Sequence, residues 1–297
     1  MGVTPGRQAV FRYVAEAVPG VFPANPALIL PSKEVRRVRF FLDKDLKESV
    51  DINDNDIEGH FSCKNIYGVE VEFVVYTVAR FTDFVTRDAE NLPKAYAVEI
   101  IPDQDAATVH WFRGTGWRAK SATLKSKVGD EWIATVVLEA GKMSDPVTVD
   151  PGVGAGSRQA KNAIVDAMRL FRAAAITKGG APVATLTDEL TLVVNHGTSA
   201  HWTTGEADPV AAGAGATKRR FTGTMNFSLD AGGATAWAAV KNQTVGDLVI
   251  PFGAAGQPKI TIANVVLPKF NFEVTPETDI IYDNEEYRGT TYTEGVV

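Results

Sequence analysis

Apolar and polar residues alternate along much of the 297-residue chain with the period of two that marks a half-buried β-strand. The clearest case is 221–229, where Phe221, Met225, Phe227 and Leu229 are interleaved with Thr222, Thr224, Asn226 and Ser228. Trp132, Ala134, Val136, Leu138 and Ala140 make a second such face. Phe270, Phe272 and Val274, set against Asn271, Glu273 and Thr275, make a third. A mainly β protein is predicted. Two stretches carry helical spacing instead. Phe81, Phe84, Val85, Ala89 and Leu92 form one stripe, stopped by Pro93, and Trp237 and Val240 share a face ahead of Gly246, a candidate C-terminal stop.

The order of these elements occurs twice. In the first half strands are expected at 38–42 and 69–78, a helix at 81–92, a strand at 96–101, then a long hairpin through Trp111, Trp117, Leu124 and 132–138. In the second half the same order runs 190–194, 221–229, the helix around Trp237, 248–252, 260–274, and a last strand from Ile280. Such self-similarity predicts a duplication, with two cores of about equal size. The division is 1–150 for the first β domain, 151–180 for a linker and helix, and 181–297 for the second. The linker is read from Asp150, Pro151, Gly152, Gly154 and Gly156, a composition suited to a flexible connector. The helix is read from Ile164, Ala167, Met168, Phe171 and Ala175, in a stretch free of Gly and Pro from Arg158 to Lys178. In each half a long polar insertion separates the first two strands, and long insertions in compact domains are usually functional or disordered. The first carries Asp51, Asp54, Asp56 and Glu58; the second, 196–217, is followed by Lys218, Arg219 and Arg220.

Charge and composition narrow the function. A formal charge of −6 argues against a broad phosphate-binding surface, which needs clustered Lys and Arg. A single cysteine, Cys63, excludes an intrachain disulfide and an all-cysteine metal site, as suits a reducing cytoplasm. Apolar runs such as 73–79 are far shorter than the roughly 18 residues that span a bilayer. The first residues lack the basic and apolar regions of a signal peptide, so no membrane partner is expected and any export would use another route.

Candidate chemistry fails residue by residue. Asp51, Asn53 and Asn55, at alternate positions, suggest a calcium loop, but Asp56 stands where the turn glycine belongs and Ser62 where the bidentate carboxylate belongs. His196 and His201 lack the further ligands of a zinc site. Gly152, Gly154 and Gly156 do not have dinucleotide-fingerprint spacing, and Gly114–Ser121 lacks the glycine before Lys120 of a phosphate loop, so it reads as a hairpin turn. No nucleophile elbow is present. No catalytic residue, metal or cofactor is expected, and the chain is read as a non-enzyme.

Tyr13, Val14, Ala15 and Glu16, followed by Gly20 and Pro23, resemble the N-terminal signature of phage tail tube proteins. Tyr96–Ile101, Phe112-Arg113-Gly114, Ala122-Thr123-Leu124 and 132–138 with Gly141-Lys142 are similar to that family's core hairpin. Phe221-Thr222-Gly223-Thr224 and 260–274 are similar to its closing strands. The resemblance rests on order and spacing over most of the chain. It implies tandem tail-tube-type β-sandwich or barrel domains, each with a flanking helix, in a virion structural subunit that is assembled in the host cytoplasm. Sibling copies would form rings that stack around a lumen for DNA, which passes without specific binding. Two domains per chain imply a trimer with pseudo-hexameric symmetry, because family rings generally hold six single domains. Tape-measure, tail terminator and distal tail proteins are the implied partners. The long insertion generally grips the next ring. On that basis Asp51, Asp54, Asp56 and Glu58 are expected to meet an adjoining ring near Lys218, Arg219 and Arg220, with charge guiding register, since exposed ion pairs are worth only about 0–1 kcal/mol.

A second reading is a two-domain β-sandwich binding or adhesion module, such as a carbohydrate-binding protein, for which Trp111, Trp117 and Trp132 would supply stacking surfaces.

Overall fold

The period-two segments fold as antiparallel strands and the molecule is mainly β. The structure, a computed structural model, describes residues 9–50, 57–127, 129–170, 176–182, 186–201, 208–209, 211–214, 219–228, 238, 240–253, 256–268 and 281–296. At 45–50, 57–63, 181–182, 186–188, 199–201, 211–214, 226–228 and 281–285 it describes the backbone alone.

The first half contains β1 (Val10–Ala15), β2 (Ala27–Leu28), β3 (Val35–Val50), β4 (Ile57–Val74), α1 (Val78–Val85), β5 (Ala95–Ile101), β6 (Phe112–Lys127), β7 (Ile133–Glu139) and β8 (Lys142–Met143). Next come β9 (Ser157–Arg158), a 3-10 turn (Lys161–Ala163), β10 (Thr177–Lys178), β11 (Ala181–Pro182), β12 (Leu186–Asn195), β13 (Thr198–His201) and β14 (Ala211–Ala214). The last are β15 (Arg220–Ser228), β16 (Gly246–Pro251), β17 (Pro258–Val265), β18 (Ile281–Gly289) and β19 (Thr291–Val296).

Seven strands follow one antiparallel path, β18-β15-β12-β6-β7-β4-β3, and β1, β5 and β8 join the same sheet through β6. β6 is the corner. Its first residues pair with β5, from Ile100↔Phe112 to Ala95↔Arg118, and its remainder lies between β7 and β12. Bulges between Tyr96 and Val98 and between Ala119 and Ser121 bend it there, helped by Gly116 at φ +74°. The expected turn at 114–121 is therefore a bend within one long strand. A second sheet, β11-β10-β16-β17-β19, covers part of the first.

The predicted repetition extends to pairing. β3–β4 corresponds to β12–β15, β4–β7 to β15–β18, β5–β6 to β16–β17, and β1–β5 to β10–β16. Even the β6–β7 joint has a trace in the second half, the bridge Val266↔Arg288. The halves do not have the separate cores expected of them. β12 of the second half pairs with β6 of the first from Glu189↔Lys127 to Asn195↔Ser121, and one apolar cluster holds Phe81, Trp117 and Trp132 together with Phe221, Ile260 and Tyr287. Trp132 meets Phe252 at 5.3 Å between ring centroids, and Phe81 meets Tyr292 at 6.4 Å.

Long-range pairing also overrides three local readings. Helix α1 buries Val78, Phe81, Phe84 and Val85 but ends at Val85, because Asp88 takes the backbone N–H groups of Glu90 and Leu92 into a turn. The helix expected through Ile164, Ala167 and Met168 does not form. Arg169 N–H donates to Val75 O at 3.1 Å and Trp132 N–H to Arg169 O at 3.0 Å, so this backbone pairs with the sheet edge rather than with itself. Phe171 and Ala175 lie outside the described residues, as do Trp237, most of its expected helix, and the 269–280 part of the closing strand.

The connector is a strap pinned in place. β9 pairs in parallel with β2, Ala155 N–H donates to Asn25 Oδ1 at 2.8 Å, and a Cβ at Gly156 would strike the Pro26 carbonyl. Fully buried Glu99 accepts from Arg158 Nε at 2.8 Å, from Arg113 Nη2 at 2.8 Å and from Arg12 Nη1 at 3.3 Å, while Arg158 also forks onto Asp150 at 2.7 and 2.9 Å. The fork holds the Asp150 carboxyl below its usual range.

Trp132→Ala is expected to cost about 3–5 kcal/mol and to lower the midpoint of one cooperative denaturant transition, since the side chain serves both halves. Two separated transitions would contradict the shared core. Glu99→Gln should remove the buried charge that three guanidiniums share, cost about 3–5 kcal/mol, and open the strap to protease cleavage near Gly152 and Gly154.

Candidate assembly surface

Among the described residues the seven-strand path ends at β3 on one side and at β18 on the other. Strand edges carry unpaired backbone donors and acceptors and are templates for a further strand. β3 is long and its inward row is apolar. Val38, Phe40 and Leu42 lie opposite Val71, Val69 and Tyr67. In the repeat, the same row is Leu190, Leu192 and Val194, opposite Met225, Gly223 and Phe221. The two rows differ in cover: Val194 is 0% exposed, with β6 on its outer side, whereas Leu42 is 46% exposed. Val38 and Phe40 are half-buried, and Leu190 and Leu192 are fully buried.

Both polar insertions leave the sheet at the same end. β7 covers β4 from Gly68 to Val74, so among the described strands 43–50 and 57–67 pair with each other and form a two-stranded ribbon beyond Glu139. Following register across the path, Glu139 adjoins Arg118 on β6, Ser121 adjoins Asn195 on β12, and Asn195 adjoins Arg220 on β15. The second insertion emerges between Asn195 and Arg220, at the ribbon's end of the sheet, with β13 and β14 as a hairpin. Asp208 in this hairpin accepts from Asn65 Nδ2 at 2.7 Å and from the Tyr67 hydroxyl at 2.9 Å on the ribbon's root. Desolvation and the Asp208 carboxylate push the Tyr67 phenol up to about 12.

Asp51, Asp54, Asp56 and Lys218 lie outside the described residues, and Glu58 is described only as backbone in β4. Arg220 is exposed at the rim. Arg219 turns inward: its Nη1 donates to Val85 O at 3.0 Å at the C-terminal end of α1, where a cation is favoured, and its guanidinium lies 4.6 Å from the Phe221 ring centroid. Burial, with Arg87 nearby, holds its pKa down. Arg219 and Arg220 share the end of the sheet from which 43–50 and 57–67 project, and the contact expected with Asp51, Asp54 and Asp56 lies outside the described residues.

Sequence reasoning missed His196 as a structural group. It is fully buried, and its Nε2 lies 3.1 Å from Phe84 O, so it clamps the same helix end that Arg219 holds. That geometry makes Nε2 the protonated nitrogen of a neutral ring. Desolvation first, then Arg87 and Arg219, lower its pKa to about 4, partly opposed by the Phe84 carbonyl.

Tyr13 and Glu16, on which the N-terminal resemblance rests, have structural partners. Tyr13 is buried against Phe84 and Tyr96 and donates to Asp83 at 2.8 Å, and Glu16 accepts from Gly20 N–H at 2.6 Å and Gly116 N–H at 2.8 Å. Trp117 and Trp132 are 0% exposed and offer no stacking surface; one face of Trp111 is taken by the Arg158 guanidinium at 4.5 Å. Among the described residues no group of three or more His, Cys, Asp or Glu is arranged to hold a metal, and no helix is long and apolar enough to cross a membrane.

Because the folded His196 pKa lies below its ordinary 6.5, the unfolded chain takes up a proton first as pH falls. The stabilisation is complete above pH about 6.5 and is lost progressively toward pH 4, amounting to about 3 kcal/mol. Urea unfolding of the wild type and of His196→Gln between pH 7.5 and 4 checks this: the variant should lose that part of the acid sensitivity. No protein-family model matches the chain, and no curated protein is significantly similar to it.

Proposed function

We propose that the chain is the structural subunit of a viral tail tube, closing with sibling copies into rings that stack around a DNA-conducting lumen. One observation carries the reading. The apolar row of β3 has a half-exposed edge, and its repeat counterpart on β12 is fully buried where β6 pairs with it. The β6–β12 joint inside the chain is thus a sample of the joint that β3 lacks among the described residues. A second copy, offering the far edge of its second half, supplies it. The same operation repeated closes a ring.

The bulk of each subunit lies on the apolar face of the seven-strand path, so closure turns the polar face toward the lumen. Two similar halves per chain suit a trimer of pseudo-hexameric symmetry. The rim that bears both insertions then faces the next ring. Tape-measure, terminator and distal tail proteins are the proposed partners, and the virion tail the proposed location.

Negative-stain microscopy of the purified protein tests the reading, with rings or tubes expected. Phe40→Asp and Leu42→Asp place charge on the open edge, and each should leave the far-ultraviolet circular dichroism unchanged while abolishing rings. Persistent rings in both variants would remove β3 from the joint. Native mass measurement of single rings should give three chains; six would reject closure by halves.

A further inference from the structure

Elsewhere in the fold, inward-turned guanidiniums meet carboxylates. Arg118 reaches Asp88 at 3.3 Å, and Arg12, Arg113 and Arg158 converge on Glu99. Arg87, just past the end of α1, and Arg219, just before β15, spend their hydrogen bonds on neutral oxygens instead. Arg87 donates from Nη1 to Asn91 O at 3.0 Å and from Nη2 to His196 O at 3.4 Å, and Arg219 donates from Nη1 to Val85 O at 3.0 Å. Among the described residues neither has a carboxylate at ion-pair distance. Asp88, the neighbour of Arg87 in sequence, is committed to the N–H groups of Glu90 and Leu92 and to Arg118. Both guanidiniums are half-buried, and they grip one turn of chain, since His196 itself reaches Phe84 O at 3.1 Å.

The cluster brings positive charge from both repeats together with little to offset it. The C-terminal carbonyls of a helix such as α1 carry about half a negative charge, against two full positive ones. Burial first, then Arg87, holds the Arg219 pKa down, and burial lowers that of Arg87 against the pull of Asp88. Partly desolvated like charges are costly unless an anion accompanies them. Two planar forks, each with N–H groups left over, match the oxygens of a tetrahedral dianion better than the two oxygens and single charge of a carboxylate. We propose that Arg87 and Arg219 form a site for a small oxyanion of the phosphate class, held between the repeats as their shared counterion. The bound anion ties the first half to the second at the end of α1. This site does not depend on the ring reading.

The test uses the whole chain near neutral pH, in chloride and in phosphate matched for ionic strength. Phosphate should raise the thermal midpoint by roughly 3 °C at about tenfold its Kd. Arg87→Gln and Arg219→Gln should each lose most of that shift and bind phosphate at least about tenfold more weakly by isothermal titration. Arg39→Gln, which removes an equal charge from the edge strand, should keep both. A readout on the wild type covers a variant that fails to fold. Phosphate should slow the modification of Arg87 and Arg219 by phenylglyoxal, scored by peptide mass spectrometry, and leave that of Arg39 unchanged. Equal protection by phenyl phosphate would mark a site for the anion carried on a larger molecule, and protection by inorganic phosphate alone a site for the free ion. The proposal is overturned if both glutamine variants keep the full shift, if Arg39→Gln loses it equally, or if phosphate leaves Arg87 and Arg219 as reactive as before.

Discussion

An interior strand of a sheet has both sides of its backbone satisfied by neighbours; a terminal strand has one side bare and must find water, a blocking device or another strand. Most of this molecule's organisation follows from how it meets that requirement. β6 has partners along its whole length because it bends: β5 and β12 succeed one another on one side, while β7 and β8 do so on the other. β12 is thereby drawn into the first half's sheet, and two repeats that might have folded as independent sandwiches share one wall. The opposite terminus of that wall, β3, carries neither a proline nor a covering loop among the described residues, and its inward residues are apolar.

Elements whose environment is set by burial on one face were legible from composition order alone. β7, β12, β15 and the short α1 follow their alternation or their stripe because the apolar positions have a core to enter. Elements whose conformation is set by a distant partner were not. Residues 43–50 and 57–67 look like a polar loop, yet their backbones pair with each other as a two-stranded ribbon beyond the last residue of β7. Ile164, Ala167 and Met168 have helical spacing, yet the backbone there is claimed by Val75 and Trp132, tens of residues away in sequence. The strap from Asp150 to Arg158 has a linker's glycines and prolines and is nonetheless fixed, because Arg158 reaches a carboxylate on β5. Glycine there permits close approach to Asn25 and Pro26 rather than mobility.

The site was legible to a lesser degree. A run of Lys218, Arg219 and Arg220 reads as an exposed basic patch, but direction is invisible in a sequence, and Arg219 is spent on the end of α1. His196 gave no motif at all; its importance comes from burial beside two arginines and a helix carbonyl, which only the fold assembles. The open edge was the inverse case. Nothing in the sequence distinguishes Leu42 from Val194 as strand residues, and the contrast becomes visible only when the two repeats are compared at equivalent pairing positions.

That both insertions leave the sheet at one end has a consequence for growth. A ring of such chains would have two chemically unlike faces, one from which both insertions emerge like bristles and one from which neither does. Addition could then proceed in a single direction, with each new layer templated by the bristles beneath it, much as an actin filament has barbed and pointed ends. In such a stack, whatever capped the start and whatever capped the finish would have to recognise different surfaces of the same polypeptide, and the two caps would need to share no binding chemistry.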